Sequence, residues 1–369
     1  MNPVRNGFSL VEIMVGLAMG MIAMVVVMQV FAVFEGGKRT TTGSADAQTN
    51  GAVALYMIER DTRIAGWGMD AQVYSQCNTT YSYCDGSASC GGVAGPLGDF
   101  ATASVLIHDG GTGADTITAQ YFTDPTVATY KFPGSTTLRG SMSSAADNLN
   151  VTSLSGCQVP DLVLVQQAGQ CTVMKISPPA DDTERKTLEA ALQLKHAPGT
   201  GGEYNPPADY LTANSWPVYT TGAVVSCFTG AANGPLFQRT YSINANHQLT
   251  LGGQVVANEI VDLQAQYGIA AAGSQDVNDW VAPTGQTWGN PTSTDRKRIK
   301  AVRIALVARS TQYEKPVNGV CKTTTPEMVA AWSSWAGFNT ANYPADWQCY
   351  RYKVFETVVP LRNIIMGNI

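Results

Sequence analysis

The apolar residues fall into one long block near the start and many short groups afterwards. From Phe8 to Phe34 only Glu12 is charged, and Gln29 is the one polar interruption deep in the run. A helix of that length reaches roughly 40 Å at about 1.5 Å per residue, enough to cross a bilayer. Seven residues, MNPVRNG, precede it, with Arg5 and the chain amine as cations. That places the leader on the cytoplasmic side and the rest across the membrane. No proline falls between Phe8 and Lys38, so Gly16, Gly20 and the pair Gly36-Gly37 are the weak points. A bend at the pair is expected, because each helical glycine costs about 1 kcal/mol against alanine. The chain then turns polar in KRTTTGSADAQTNG before helical spacing returns in AVALYMIERDTRIAG. There Leu55, Ile58, Thr62 and Ala65 form one stripe, with Glu59, Arg60, Asp61 and Arg63 elsewhere on the wheel. Gly66, Trp67 and Gly68 stop it. The pattern predicts one spine helix over 8–65, its first half (8–34) in an apolar medium and its second half packed on a head, 66–369.

The head reads as strands. ADTITAQYF, DLVLVQQ, CTVMKIS and LFQRTYSI are short β-type runs. Two others alternate with period two. In EIVDLQAQYGI, Val261, Leu263, Ala265, Tyr267 and Ile269 share a face opposite Asp262, Gln264 and Gln266. In VRIALVARS, Val302, Ile304, Leu306 and Ala308 share one opposite Arg303 and Arg309. Such alternation implies sheets with one covered face, and the amphipathic half of the spine is the economical cover. TTPEMVAAWSSW predicts a short helix with Thr325 as N-cap, Pro326 at N1, and a stripe of Met328, Ala331, Trp332 and Trp335. ERKTLEAALQL is helical by propensity and ends in a candidate strand. Gly/Ser/Thr/Asn-rich stretches at 85–97, 109–115, 197–207 and 270–294 read as loops. The expected class is α+β: a long N-terminal helix on antiparallel sheets of a single elaborated head.

Composition narrows the chemistry. Charged residues make up 14%, and the net charge of −5 gives no general attraction to nucleic acid. The local run DRKRIK (Arg296, Lys297, Arg298, Lys300) lacks interleaved aromatics and reads as a charged strand start that discourages edge pairing. His108, His196 and His247 are far apart and read as strand-end or solvent-edge residues, without metal-ligand spacing. GGTGAD at 110–115 is neither a phosphate loop nor a dinucleotide fingerprint and reads as a hairpin loop; Asp109 and Asp115 lack the spacing of an EF-hand. No G-x-S-x-G occurs. No catalytic residue, metal or cofactor is predicted. Trp332, Trp335, Tyr343, Trp347, Tyr350 and Tyr352 read as core packing in preference to a partner surface.

Eight cysteines lie downstream of the apolar block, with no C-x-x-C pair. An even set behind an export segment predicts disulfides. Cys321 and Cys349 flank the TTPEMVAAWSSW insertion, and a bridge there would close it. Cys77, Cys84 and Cys90 share one Tyr/Ser/Gly-rich loop in which two could pair. The remaining partners, Cys157, Cys171 and Cys227 included, stay open.

Glu12 requires an explanation, because an isolated carboxylate in lipid costs several kcal/mol. A cleaved secretory signal does not fit the length of the run, and a plain anchor does not explain the acid. A cut between Gly7 and Phe8 makes Phe8 the new N-terminus and Glu12 its fifth residue. Gly7, Phe8, the run FSLVEIMVGLA and the offset of Glu12 resemble the class III signal of type IV prepilins and pseudopilins. The resemblance implies that a prepilin peptidase cuts after Gly7 and that the amine of Phe8 is methylated. It also implies that Glu12 meets the Phe8 amine of a neighbouring subunit and sets the register of assembly. RDTRIAGWG, EIVDLQAQYGI, KAVRIALVARSTQYEK and CYRYKVFETVVPLRN, in that order, resemble the PilW family of minor pilins, related to the J-type minor pseudopilins of type II secretion.

The resemblance implies a minor pilin without enzymatic activity. It is held in the inner membrane with its head in the periplasm, then sits at the extracellular pilus tip. The implied partners are other minor pilins and the major pilin through the spine, a tip adhesin, and the prepilin peptidase; nucleic acid is not expected. A J-type pseudopilin and a membrane-anchored binding module outside any filament are the alternatives.

Overall fold

The computed structural model describes residues 9–68, 77–87, 94–96, 103–122, 134–197, 204–230, 236–316 and 318–366. Gly7, Phe8 and Cys90 lie outside the described residues.

One helix of 55 residues runs from Leu10 to Ile64, roughly 80 Å long at about 1.5 Å per residue. It passes through Gly36-Gly37 without a break in its helical assignment. The hydroxyls of Thr40 and Thr41 donate back to the carbonyls of Gly36 and Gly37 at 3.1 and 3.0 Å, bonds that leave the helical ladder intact. The polar stretch after Gly37 is therefore helix as well. Its small residues form the buried stripe: Gly43, Ala47, Gly51 and Ala54 face the head, followed by Ile58. Gly51 marks the closest approach, where a Cβ would overlap the ring of Phe355. Leu55, placed on the stripe by its spacing, lies at its half-buried margin. At the far end Asn363 Nδ2 donates to the carbonyls of Ile64 and Ala65 at 3.1 and 3.0 Å, satisfying two of the orphan acceptors that every helix end leaves.

The stripe packs mainly on a four-stranded antiparallel sheet. Its order is Val277–Val281, Ile260–Ala270, Ile299–Arg309, Tyr352–Pro360. Leu263, Ala265, Tyr267, Ile269, Val302, Ile304, Leu306 and Ala308 face the main core together with Ile58, as alternation requires. Val261 does not join them. The pairing skips it, Ile260 opposing Ala308 and Asp262 opposing Val307. This bulge turns Val261 to the other face, where it packs with Val307 and Tyr343.

A second five-stranded sheet contains the hairpin Val105–His108 and Thr116–Tyr121, then Phe237–Ile243, Gln248–Leu251 and Gln254–Asn258. A third is built on Leu162–Gln167, Gln170–Lys175, Val224–Phe228 and Gly134–Thr137. Its edge strand Thr79–Tyr81 runs parallel to Gln170–Lys175, a departure from the all-antiparallel expectation. One face of this sheet joins the main core through Leu162, Leu164 and Val173. The other is covered by Leu138, Leu149, Val151 and Tyr219.

Three further readings need correction. The stretch 270–294 is not all loop, since it contains Val277–Val281 and the short helix Gly285–Trp288. The helix capped by Thr325 spans only Pro326–Ala330, and it buries Val329, leaving Met328 exposed. Trp332 and Trp335 fall past its end, so one turn cannot align them with Met328. Asp61, placed off the apolar stripe, is buried. The helix Asp182–Ala190 followed by the strand Gln193–Leu194 matches the pattern read in ERKTLEAALQL.

Candidate functional site on the spine helix

The spine has two unlike halves. Along Leu10–Phe34 every side chain is exposed, Phe31 at 72% and Phe34 at 73%. Among the described residues this is the one helix long and apolar enough to cross a membrane. So large a contiguous apolar surface requires either lipid or other helices around it. An exposed Glu35–Arg39 pair, 3.3 Å apart, follows the run.

Glu12 begins the helix. Ser9 is its N-cap: Ser9 Oγ accepts from the Glu12 amide at 3.2 Å, and Glu12 Oε2 accepts from the Ser9 amide at 2.8 Å. This reciprocal capping box satisfies two donors that would otherwise face an apolar medium. It uses one carboxylate oxygen. Oε1 has no hydrogen-bond partner among the described residues and remains open to a donor from outside the chain. The S-L-V-E spacing signals the box in the sequence, a function of Glu12 separate from its offset behind Phe8.

The second half is closed by a buried polar centre. Asp61 is 1% exposed. Its carboxylate pairs with the Arg239 guanidinium, accepts from the Tyr241 hydroxyl at 2.5 Å, and lies 2.9 Å from Arg60 Nη2. Tyr121 donates to the Asp61 carbonyl at 2.7 Å. Burial first, and then the hydrogen bond to the carboxylate, push the Tyr241 phenol well above its ordinary pKa, so it stays a donor. A buried carboxylate needs such partners. The centre therefore fixes both the rotation and the depth of the spine against the strands.

Other residues singled out by sequence lie elsewhere. Cys321 is bonded to Cys349, Cys77 to Cys171, and Cys157 to Cys227. Cys84 is disulfide-bonded. Cys77 thus reaches across 94 residues of sequence and not within its own loop. In DRKRIK, Arg296 is buried and Nη2 donates to the Cys77 carbonyl at 2.8 Å. Lys300 is buried too, so the run is not an open basic strip. His108 is exposed at a strand end, whereas His196 is buried beside the Asp147 carbonyl, contrary to the solvent-edge reading, and burial holds its pKa below the usual value.

The loop at 110–115 joins two hairpin strands. Asp115 is buried there, and its carboxylate accepts from Gly110 N at 3.0 Å and Ala265 N at 2.8 Å. Burial pushes its pKa up to about 6. Tyr343, Trp332, Trp347 and Tyr352 pack around Val261 and Val307. Among the described residues no group of three His, Cys, Asp or Glu could hold a metal ion.

Comparison with known proteins bears on both ends of the chain. The family model described as Type IV Pilus-assembly protein W matches residues 225–363, which include the whole four-stranded sheet. The model described as the prokaryotic N-terminal methylation motif matches residues 3–28, Gly7, Phe8 and Glu12 among them. No curated protein matches the chain. A solved structure, a type IV-like pilin from Thermus thermophilus, aligns over 86% of this chain and 96% of its own at 10% identity and a TM-score of 0.30.

Proposed function

Because the chain carries a PilW domain behind a prokaryotic N-terminal methylation motif, we propose that it is a minor pilin acting in a complex that primes type IV pilus assembly at the filament tip. In this reading the prepilin peptidase cuts after Gly7 and methylates the amine of Phe8. The bare helix half anchors the subunit in the inner membrane with its head in the periplasm. On extraction that half packs against the spines of other minor pilins and of the major pilin. The head remains at the tip, where it can present an adhesin. Its place in the family is that of a structural protein, and no catalytic role is assigned.

The observation that carries this reading is that Glu12 Oε1, at the start of an exposed apolar helix, has no partner among the described residues. A neighbour's Phe8 amine supplies the missing donor and positive charge. Helices out of register leave an unpaired carboxylate in an apolar medium, at a cost of several kcal/mol, so the pair selects register more than it adds net stability. The test is Glu12→Ala, scored for peptidase processing and for the subunit's share of purified filaments. Processing is expected to continue while the share falls about tenfold or more, the factor that 1.4 kcal/mol produces. An unchanged share would overturn the register role. Pull-down of the subunit with mass spectrometry of co-purifying pilins tests the priming complex.

A further inference from the structure

The run DRKRIK finds no use in the assembly reading, yet it borders a cavity of about 290 Å³ at one end of the four-stranded sheet. The turn Ala271–Gln275 lines one side, and Thr294, Lys297, Arg298 and Lys300 the other. The pairing of Ile299–Arg309 is irregular here: Gly268 opposes Ala301 and Ile269 opposes Ile299, so Lys300 is skipped. A bulge of this kind re-aims its extra side chain, and Lys300 lines the cavity instead of continuing the row of core residues that begins at Val302. It is 3% exposed, and among the described residues its ammonium makes no hydrogen bond or ion pair. Its ammonium is open to the water of the cavity, where an anion can take that water's place. Burial alone holds its pKa below the ordinary lysine value.

The rest of the lining supplies complementary chemistry. Arg298 is held at the rim by donation from Nε to the Ala270 carbonyl at 3.1 Å and by its position 5.4 Å over the Trp288 ring. Among the described residues its one paired carboxylate, Asp295, is 3.9 Å away and is not part of the lining. Lys297 is exposed at the mouth. Three cations with no carboxylate in the lining call for an anion of more than one charge.

We propose that this cavity binds a phosphate group, free or as a monoester, with Lys300, Arg298 and Lys297 on its oxygens. A phosphate monoester carries about −1.5 to −2 charges at pH 7, against one for a carboxylate, and offers several strong acceptors. The site stands apart from the assembly reading, since neither the spine nor Glu12 contributes to it.

The experiment is a thermal-unfolding titration of the full-length chain in detergent with glucose 6-phosphate, inorganic phosphate, glucose and acetate at matched ionic strength, with phosphorus NMR line broadening as a second readout. Glucose 6-phosphate and inorganic phosphate are both expected to raise Tm, glucose and acetate not at all. Lys300→Met, which keeps the aliphatic stem, is expected to abolish the shift without lowering the unliganded Tm. If Lys300→Met does not fold, Lys297→Gln, at an exposed position, replaces it and is expected to weaken binding several-fold. A wild-type shift no larger than the acetate control, with no line broadening, overturns the proposal, as does an equal shift in the folded cation variants.

Discussion

The two halves of the spine are one unbroken helix with opposite surface chemistry. Residues 43–62 meet the head through glycine and alanine, come close enough that Phe355 lies against Gly51, and end on a carboxylate with all its partners supplied by the chain itself. Residues 10–34 pack on no other element among the described residues, carry bulky apolar side chains, and begin on a carboxylate of which one oxygen has no partner among those residues. A closed interface can use small residues because its partner is fixed and the fit is specific. An open one must serve lipid first and other helices later, so it presents flexible bulk, in which methionine is prominent. Each buried or burial-destined acid marks the end of its interface, and the difference lies in where its counter-charge comes from.

The sharpest way to break this contrast is to exchange the fates of the two acids. Asp61→Ala leaves the half-buried Arg239 without its counter-ion and the Tyr241 hydroxyl without its acceptor, and a loss of about 3 kcal/mol, the lower end for a broken buried pair, is expected. Denaturant unfolding of the head measures it. Glu12→Ala, lying outside the head's core, should leave that transition where it was. Of similar size is the clasp: replacing Cys321 and Cys349 by alanine opens a loop spanning 28 residues, for which loop entropy predicts a loss of roughly 3–4 kcal/mol.

A third pair of variants reads the halves through the same chemical change. Gly51→Ala forces a methyl into Phe355, and overpacking of this kind costs about 1–3 kcal/mol. Gly20→Ala meets nothing within 4 Å and should stabilise the helix by about 0.5–1 kcal/mol. Opposite signs in thermal unfolding support two different surfaces; equal signs contradict them.

An effect of about the same small size belongs to one of the head's buried acids. Asp115 has a folded pKa raised to about 6 from 3.8, so between those values the folded state binds more protons than the unfolded. Its contribution is therefore most favourable at low pH and is lost as pH rises through 6. Acidifying from pH 7 to pH 5 should stabilise the native chain relative to Asp115→Asn by about 1 kcal/mol. His196 works the other way: with its pKa depressed by burial, it disfavours folding as pH falls. Only the difference between native and variant curves isolates Asp115.

The sequence made the open half more legible than the closed one. A single charge in a long apolar run stands out, as does period-two alternation in Ile260–Ala270 and Ile299–Arg309. Asp61 was hidden because it sits among charges in ERDTR, and its partners Arg239 and Tyr241 come from a strand about 180 residues later. The stripe Gly43, Ala47, Gly51 and Ala54 carries no apolar signal within the predicted spine, because small residues serve turns and close helix contacts alike. The bulges that move Val261 and Lys300 leave no trace in composition, because register is decided by pairing. Cys321 and Cys349 could be paired on paper because they bracket one insertion. Cys77 and Cys171 could not, because the parallel edge strand that joins their segments is a tertiary feature.

The central claim is that the open half is completed by a neighbour's new amine at Glu12. Intact-mass and N-terminal analysis of this chain recovered from purified filaments tests it most directly. The account predicts a chain beginning at Phe8, with one methyl on its amine and Glu12 unmodified. A filament-incorporated chain that still begins at Met1 would contradict it.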